Sequence, residues 1–543
     1  MKRKAVAAVL TAVMVASMFT GCGSDKGSSS AKSTSAASAA NDTVDEDGKV
    51  NGIMYQEGLP LVDEGDYTFS IFCDDSSESG EFIMLDEFKK QTNVDVDLKI
   101  YPYETATERL NLDLNSGDYA DVIGGWTLSD NAILTYGVNQ GVFIPLEDYF
   151  EKYCPNISAI LDLSGVREKM TAPDGHIYTI PYVCTDTTVG YSPYINTKWL
   201  ENVGMSMPTT TDEFEAVLKA FKEQDANGNG DASDEIPFST DPNNKHIEAM
   251  AGYFGLPMNK LGIAIQNEKV VYGGVSDTYR EFLSWFHKLY AEGLVDVELY
   301  TQDSSTWEGK GNQDLYGVSI AYGSNEFTGI PAAEERGDFD SMPVLNTDKD
   351  GIWLRDTEGF SVYRTQAVIT NKAEHPEIIC RWFDNAFALE NGIGCNRGPV
   401  GVIVNKEDDG YHAIDTTTLS EEDQEKYSWG NLWPQSLPKY LPVDFEFVEE
   451  HPMYDEKKAT EEAYEANLTK EIIPSYWIDL DKIDTFSDTN TAIKDFFEQQ
   501  QAQFVCGELD IDNDADWQAY VDGMYSLGLE DWVATQGIEE IAK

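Results

Sequence analysis

The loop from Asp225 to Glu235 has the residue spacing with the most specific chemistry in the chain. Oxygen-bearing side chains stand at Asp225, Asn227 and Asn229, and Gly230 follows them. Calcium binds six to eight oxygen atoms, and oxygen ligands at positions 1, 3 and 5 with a glycine at position 6 are typical of a calcium loop. We therefore expect a bound calcium ion. Its role is structural, because protein oxygens fill the coordination sphere and leave no open position for a reaction.

The end of this loop departs from the twelve-residue calcium pattern. The backbone carbonyl of Asp231 fits position 7, but position 12 is Ile236, and the nearest acids are Asp234 and Glu235. We expect one of these two carboxylates to close a shortened loop, and either fits the spacing. The alternative is a metal-free surface turn, which Asx and Gly residues favour by themselves.

An α/β body is predicted to position this loop. Apolar residues alternate over 67–71 and again over 94–100, which predicts two strands. Helical faces recur over 81–91 and about 105–115, and the apolar run at 121–123 is typical of a buried strand. This β-α-β-α-β order favours a parallel sheet.

The helix that precedes the loop has a clear start signal. Thr211 is its predicted N-cap, and Phe214, Val217, Leu218 and Phe221 form its apolar face. Further helices are expected over 276–292, 374–391, 490–505 and 514–528, whereas 420–445 is typical of a loop.

The N-terminus has the features of an export signal. Basic residues at positions 2–4 precede an uncharged run over 5–19, which is shorter than the roughly 20 residues of a membrane span. We therefore predict a signal peptide at 1–21. Two small residues before Cys22 resemble the lipobox of bacterial lipoproteins, in which the cysteine thiol takes a diacylglycerol. A plain signal peptide with an incidental cysteine is the alternative.

The segment 22–57 is predicted to be a flexible tether between this anchor and the folded body. Its first half consists mostly of Ser, Ala, Gly, Thr, Lys and Asp and has no aromatic residue, so it buries too little apolar surface to order itself. No later stretch is long and apolar enough to span a membrane. Membrane attachment is therefore expected only through the lipid.

The charge balance excludes several classes of partner. The 543 residues include 97 acidic and 38 basic side chains, for a formal net charge of -59. Such a charge repels phosphate backbones and anionic headgroups, which argues against nucleic-acid binding and against adsorption through a basic patch. The chain has 41% hydrophobic and 12% aromatic residues, which is typical of a globular protein.

Cysteine spacing leaves the redox state open. Six cysteines remain if Cys22 is acylated, and they are scattered without a Cys-x-x-Cys pair, so no zinc or dithiol motif is present. Both one to three disulfides and six free buried thiols fit this pattern.

Several segments together resemble the lipoprotein solute-binding proteins of carbohydrate ABC importers, the extracellular solute-binding protein family 1. The clearest is 199–237, with a helix, the Asp-x-Asn-Gly-Asn-Gly loop and then Asp-Glu-Ile-Pro. The turn at 115–123, the segment 171–181 and the closing segment 504–529 agree with it in order along the chain. The resemblance covers about residues 58–540.

This resemblance implies a two-lobed, periplasmic-binding-protein-like α/β fold, known as a Venus flytrap. Its parallel-sheet lobes are discontinuous in sequence. We expect an N-lobe at 58–187 and about 363–425, and a C-lobe at about 188–362 and 426–543.

The function implied by the family is capture of a sugar or oligosaccharide between the lobes and delivery to an ABC permease. Ligand contacts to both lobes favour a closed state, which docks on the transmembrane subunits. The resemblance implies a monomer anchored by lipid to the outer face of the cell membrane.

Aromatic residues in loop-like sequence are the candidate sugar contacts, because a sugar ring has one apolar face and a rim of hydroxyls. Trp126 is the first of these, since it follows a predicted parallel strand and ligands gather outside the carboxyl ends of such strands. The same rule selects Asp74 and Asp75. The remaining candidates are Trp353, Arg397, Trp429, Trp433 and Trp477.

Only nine arginines are present, which favours a neutral ligand, because anionic sugars need forked guanidinium partners. The alternatives to a binding protein are a lipid-anchored glycoside hydrolase and an adhesion or structural lipoprotein. Hydrolysis needs two carboxylates across a glycosidic bond, and no local motif selects such a pair. The six histidines have no metal-binding spacing, and no nucleophile elbow or phosphate loop occurs. We therefore predict no catalytic residues.

Overall fold

Two sheets, each beside its own hydrophobic core, organise the chain. The structure is a computed structural model. It describes residues 42–75, 81–242, 246–329, 338–414, 416–443, 445–448, 452–538 and 540–542. We call the half built on the first sheet lobe 1 and the half built on the second sheet lobe 2.

The sheet of lobe 1 has five strands. Their order is Val94–Tyr101, Tyr67–Asp74, Val122–Gly124, Phe360–Ile369 and Thr179–Thr185. The first three strands are parallel, and the helices Ile83–Thr92 and Tyr103–Ser116 connect them, so the predicted β-α-β-α-β order is confirmed. The strand Phe360–Ile369 runs antiparallel to both of its neighbours, which makes the sheet mixed where a parallel one was expected.

The sheet of lobe 2 has four strands, in the order Phe339–Ser341, Ser192–Asn196, Tyr316–Ala321 and Ile236–Thr240. Tyr316–Ala321 is parallel to Ile236–Thr240 and antiparallel to Ser192–Asn196. The carboxyl ends of the two parallel strands therefore share one edge of the sheet.

Local sequence explains the helix Thr211–Glu223, which leads into the predicted calcium loop. Phe214, Val217 and Leu218 are buried on one face, as their spacing predicts. The N-cap is Thr210, whose hydroxyl accepts the Glu213 N–H, so the predicted cap at Thr211 is wrong by one residue. The Glu213 carboxylate in turn accepts the N–H and hydroxyl of Thr209, which fixes the start of the helix.

The other expected helices are present, and 374–391 forms two helices where one was predicted. Among the described residues, a π-helix spans Ile133–Asn139 and a 3-10 helix spans Ile247–Phe254. The remaining α-helices of four residues or more in the described part of the chain are Glu147–Tyr153, Pro155–Leu161, Val166–Met170, Thr197–Val203, Asp277–Ala291, Ser304–Asn312, Asn325–Thr328, Pro376–Ala386, Leu389–Arg397, Glu421–Lys426, Pro452–Tyr464, Ile483–Cys506, Asp514–Ser526 and Leu529–Thr535. The small sheets pair Lys49–Val50 with Met54–Tyr55, Lys269–Tyr272 with Ile263–Gln266 and Glu540–Ile541, Trp353–Arg355 with Leu468–Ile472, and Val404–Glu407 with Gly410–Ala413.

The predicted boundary between the lobes at 425/426 is wrong. Trp433 is fully buried in the core of lobe 1, where its ring lies 5.1 Å from that of Phe88 and 5.7 Å from that of Trp382. Leu437 packs in the same core. The apolar surface of these side chains holds the segment on lobe 1, so lobe 1 extends past residue 437.

The predicted tether also ends too late. Val50 and Met54 are fully buried in the core of lobe 1. The Asn51 amide donates to Glu377 across the surface at 2.9 Å. The described part of the segment, from residue 42, therefore belongs to the folded body, while Cys22 and the signal peptide lie outside the described residues.

Two further sequence questions have answers in the structure. The six cysteines after residue 22 are free thiols, as one of the two alternatives allowed. Among the described residues, no helix combines the length and apolar character that crossing a bilayer requires.

An ion pair on lobe 1 gives a small pH effect. The His176 ring contacts the Glu147 carboxylate, and this hydrogen bond raises the pKa of His176. A histidine whose pKa is raised by folding stabilises the folded state fully at pH values below its unfolded-state pKa of about 6.5. This stabilisation is lost as the pH rises through its folded-state pKa. The His176 side chain is 48% exposed, so screening limits the effect to about 0.5 kcal/mol.

We expect His176→Gln to lower the melting temperature by roughly 1–2 °C at pH 5.5 and to have no effect at pH 9. Calorimetric melting of both proteins checks this, with 1 M salt as the control, because screening at that concentration acts within about 3 Å. An equal difference at both pH values would contradict the assignment.

Candidate functional site

Asp74 ends a central strand of lobe 1 and holds the next loop in place. Its buried carboxylate accepts the N–H of Trp126 at 2.9 Å and that of Thr127 at 2.6 Å. Gly125 has φ of +133°, and a Cβ there would collide with this carboxylate. Burial raises the pKa of Asp74, and the hydrogen bonds act against that shift. Because both oxygens serve the backbone, Asp74 positions Trp126, which corrects the expectation that it contacts a sugar.

Trp126 is exposed yet well fixed. Trp126 is 46% exposed. The rings of Tyr363 and Tyr182 pack edge-on against its indole, at centroid distances of 5.3 and 6.4 Å. Those two tyrosines stack on each other at 5.4 Å. Tyr103 is 40% exposed, and Trp126 is among the groups that act on its hydroxyl. An accessible ring immobilised by other rings is the arrangement that stacking against a sugar requires.

A second exposed indole is linked to the neighbouring aspartate. The Asp75 carboxylate accepts the N–H of Gln435 at 2.7 Å, and the amide of Gln435 donates to the Trp429 carbonyl at 2.8 Å. Trp429 is 56% exposed. The Lys439 ammonium lies 5.3 Å from the centroid of its ring, which is a cation–π contact. Trp126 and Trp429 are thus both anchored to the pair Asp74 and Asp75.

Two predicted platforms lie in the cores, and a third, Trp477, is partly buried and stays a prediction. Trp353 is 2% exposed and packs against Tyr253 and Tyr464 in the core of lobe 2. Trp433 is the core residue of lobe 1 described above. The Trp477 ring is covered by the Arg364 guanidinium at 4.1 Å, and its N–H donates to the Lys169 carbonyl. Loop-like neighbours such as Gly and Pro did not distinguish these indoles from Trp126.

Arg397 stays a prediction. Its guanidinium lies 5.8 Å from the centroid of the Phe447 ring and donates to the Asn396 carbonyl. It is also close enough to Lys439 to act on that ammonium electrostatically, which places it near the Trp429 segment.

One aspartate joins the two lobes. Asp186, in the chain between the strands Thr179–Thr185 and Ser192–Asn196, accepts hydrogen bonds from Ser361 and Tyr363 on the lobe 1 sheet. Its other oxygen accepts from the Tyr322 hydroxyl of lobe 2 at 3.3 Å. A path of direct contacts therefore connects Trp126 through Tyr363 and Asp186 to Tyr322.

Lobe 2 brings polar groups to the same junction, and sequence reasoning missed them. Asp241 and Tyr322 follow the two parallel strands of this lobe. The Glu326 carboxylate accepts the Tyr322 N–H at 2.9 Å. Burial raises the pKa of Glu326 to about 7, and the nearby charge of Asp241 contributes. The strand-end rule that selected Trp126 would have found them, had the strands of lobe 2 been identified.

Lys457 is buried beneath Tyr322. Its ammonium lies 3.9 Å from the centroid of that ring and donates to the carbonyls of Gly190 and Tyr322. Burial lowers the pKa of Lys457 to about 8, although four nearby carboxylates act in the opposite direction. Its cationic head is therefore turned into the protein.

The loop Asp225–Glu235 fits a cation. One Asp225 oxygen accepts the Gly230 N–H at 3.0 Å and one Glu235 oxygen accepts the Ala226 N–H at 2.9 Å. Among the described residues, the second oxygen of each carboxylate is buried without a hydrogen-bond partner. Burial raises the pKa of Glu235, and the charge of Asp234 adds to this. Two buried, unsatisfied carboxylate oxygens from opposite ends of one loop are what a hard cation would satisfy.

The choice of closing ligand now favours Glu235. Both Asp234 oxygens accept side-chain amides, at 3.3 Å from Asn227 and 2.7 Å from Asn229. The Asp231 carboxylate accepts from Ser233, which leaves the Asp231 carbonyl as the group expected at position 7.

Comparison with known proteins agrees with this architecture. Among curated proteins, the fructooligosaccharide ABC transporter substrate-binding protein FusA of Streptococcus pneumoniae is 33% identical over 335 residues, 60% of this chain and 61% of that one. Lipoprotein LipO of Bacillus subtilis is 28% identical over 280 residues, 50% of this chain and 52% of that one. The chain thus aligns with about half to three fifths of the length of these relatives.

Solved structures match over more of the chain. FusA in complex with kestose superposes with a TM-score of 0.76 at 26% identity, over 86% of this chain and 98% of that one. A FusA EF-hand mutant in complex with fructo-nystose gives 0.74 at 27% identity, over the same shares of the two chains. A human-milk-oligosaccharide binding protein of Bifidobacterium longum, at 21% identity and a TM-score of 0.71, shows the same fold. These neighbours are two-lobed solute-binding proteins.

The match to the family itself covers residues 76–392, more than half of the chain. The predicted two-lobed α/β fold is thereby confirmed, and this chain belongs to the bacterial extracellular solute-binding proteins.

Proposed function

We propose that this protein captures an oligosaccharide between its two lobes and delivers it to an ABC permease. The observation that carries the proposal is Trp126, an exposed indole fixed by Asp74, Tyr182 and Tyr363 outside the carboxyl end of a parallel strand. One relative supports it in two ways, since FusA is named for fructooligosaccharides and one of its structures is a complex with kestose. Trp429, a second exposed ring linked to the same aspartate pair, would offer a further stacking surface, which favours an oligosaccharide over a single sugar.

Closure would couple the two lobes through the ligand. Rings of lobe 1 would stack on the sugar, and Asp241, Tyr322 and Glu326 of lobe 2 would hydrogen-bond its hydroxyls. A ligand that contacts both lobes favours the closed state by its differential affinity. The bonds of Asp186 to both lobes lie at the junction about which such closure would turn.

Calcium is the proposed structural ion of lobe 2. Asp225, Asn227, Asn229, the carbonyl of Asp231 and Glu235 would hold it, with Asp234 orienting the two asparagines. The unsatisfied carboxylate oxygens of the loop support this, and so does the naming of one FusA structure as an EF-hand mutant.

The proposed location is the outer face of the cell membrane, through a lipid on Cys22. The family is extracellular and one relative is named a lipoprotein, which supports export and an anchor. Mass spectrometry of the N-terminal peptide of membrane-bound protein tests this. An unmodified Cys22 would contradict it.

Calorimetry and tryptophan fluorescence with a panel of oligosaccharides, followed by chromatography of the sugars, test the main proposal. We expect saturable binding and unchanged sugars. Cleavage products would instead support a glycoside hydrolase, and absence of binding to every sugar would support an adhesion or structural lipoprotein.

A further inference from the structure

The edge of lobe 2 that faces the junction has a concentration of negative charge. Asp241 directly follows one of the two parallel strands, and Glu326 accepts the N–H of Tyr322, which directly follows the other. Glu308 is close enough for the charges of these groups to interact. Asp186 adds a fourth carboxylate where the chain crosses between the lobes. The mutual repulsion of these groups raises the pKa of Glu308 and Glu326, on top of a larger effect of burial.

Among the described residues, the Arg364 guanidinium and the Lys457 ammonium each lie over an aromatic ring and are bonded to other groups of the protein. The Arg364 guanidinium donates hydrogen bonds to both carboxylate oxygens of Asp130. It also donates to the Ser475 and Tyr476 carbonyls and lies over the Trp477 ring. The Lys457 ammonium is held by two backbone carbonyls below Tyr322.

Two further basic side chains of the described residues, Lys439 and His246, also lie against aromatic rings. Lys439 donates to Gln435 beneath Trp429. His246, stacked on Tyr191 at 4.0 Å, is uncharged at neutral pH because burial, together with Lys260, lowers its pKa to about 4.

We infer that the cleft selects neutral or amino oligosaccharides and rejects acidic ones, and that Asp241 and Glu326 set this selectivity. The inference rests on the proposed function and names the ligand class of the same site. Carboxylates accept hydrogen bonds from hydroxyl and ammonium groups, whereas the carboxylate group of a uronate is only an acceptor and carries a like charge. A like charge at about 6 Å and an effective dielectric constant of about 20 lowers affinity roughly 100-fold without screening and roughly tenfold with screening at physiological salt.

The test uses one sugar skeleton in several charge states, with full-length protein at pH 8, where Glu326 is ionised. The neutral oligosaccharide that binds best in a panel is oxidised at its primary hydroxyls to the uronate form, and part of that product is converted to the uncharged methyl ester. A third derivative carries amines at the same positions. Calorimetry gives the four dissociation constants.

We expect the uronate form to bind at least tenfold more weakly than the parent, the ester to recover most of that loss, and the amine to bind at least as tightly as the parent. An acid that binds within threefold of the parent would overturn the inference. A loss shared equally by acid and ester would also overturn it, because it would be steric.

Binding of acidic sugars alone would overturn this inference and leave the proposed capture of oligosaccharides standing. If no sugar of any charge binds, the proposed function fails and this inference fails with it.

A variant pair locates the selectivity. Glu326→Gln keeps an acceptor for the Tyr322 N–H and removes the charge, so the ratio of acid to neutral dissociation constants should fall roughly three- to tenfold. Glu201→Gln is the matched control, since it lies in the helix Thr197–Val203 at the opposite edge of the same sheet and should leave the ratio unchanged. An unchanged ratio in Glu326→Gln would contradict the assigned role.

Discussion

Trp126→Ala is expected to weaken oligosaccharide binding about a hundredfold, or about 3 kcal/mol, while the fold stays intact. A central aromatic ring that loses its contact with a ligand costs about 2–4 kcal/mol, and each 1.4 kcal/mol is a tenfold change in the dissociation constant. Its side chain is 46% exposed and forms little of the lobe 1 core, so stability should change little. Calorimetric titration with the best-binding sugar checks this result.

Two companion variants show whether stacking is responsible. Trp126→Phe retains a flat ring and should keep affinity within about tenfold of the parent. Trp429→Ala, which removes a more exposed ring, should weaken long oligosaccharides more than short ones. If Trp126→Ala binds every sugar within threefold of the parent, the cleft assignment is wrong.

Removal of calcium is the second large effect. An ion present at a hundred times its dissociation constant stabilises the folded state by about 2.7 kcal/mol. At about 2–4 °C per kcal/mol for a lobe of this size, a chelator should lower the melting temperature by roughly 5–10 °C. Restored calcium should reverse the change, and magnesium should not, because it demands a smaller octahedral site.

Loop variants make that experiment specific. Asp225→Asn and Glu235→Gln remove the two carboxylates whose second oxygens are unsatisfied, and both should abolish the response to calcium. Asp118→Asn, in an exposed turn of lobe 1, is the control and should respond like the parent. A chelator that leaves the melting temperature of the parent unchanged would refute a structural ion.

The parts of the site that sequence predicted well depend on short-range patterns. Trp126 follows a strand whose apolar run is visible in three residues, and the spacing of the calcium loop is contained in eleven. The helix N-cap also depends on a short-range pattern, in which the adjacent threonines Thr210 and Thr211 are both suitable residue types. Only the hydrogen bond from the Glu213 N–H to the Thr210 hydroxyl identifies Thr210 as the cap.

Long-range packing accounts for what was missed. Trp433 and Trp429 have similar neighbours, yet one is buried against Phe88 and the other is 56% exposed. The aromatic partners of Trp433 lie far away along the chain, so local composition carries no signal for its burial. Tyr322 and Asp241 become a pair only when two strands that are about 80 residues apart align in parallel.

The packing of Val50 and Met54 into lobe 1 also limits the distance between the folded body and the membrane if Cys22 carries the lipid. The segment from Cys22 to the first described residue, Asp42, then spans 20 residues, so its maximum reach is about 70 Å. The predicted tether, 22–57, would have a maximum reach of about 120 Å. The effective concentration of a tethered protein falls with roughly the 3/2 power of linker length. If the segment is the flexible tether that the sequence predicts, the shorter length raises the concentration of this protein at a neighbouring permease about twofold.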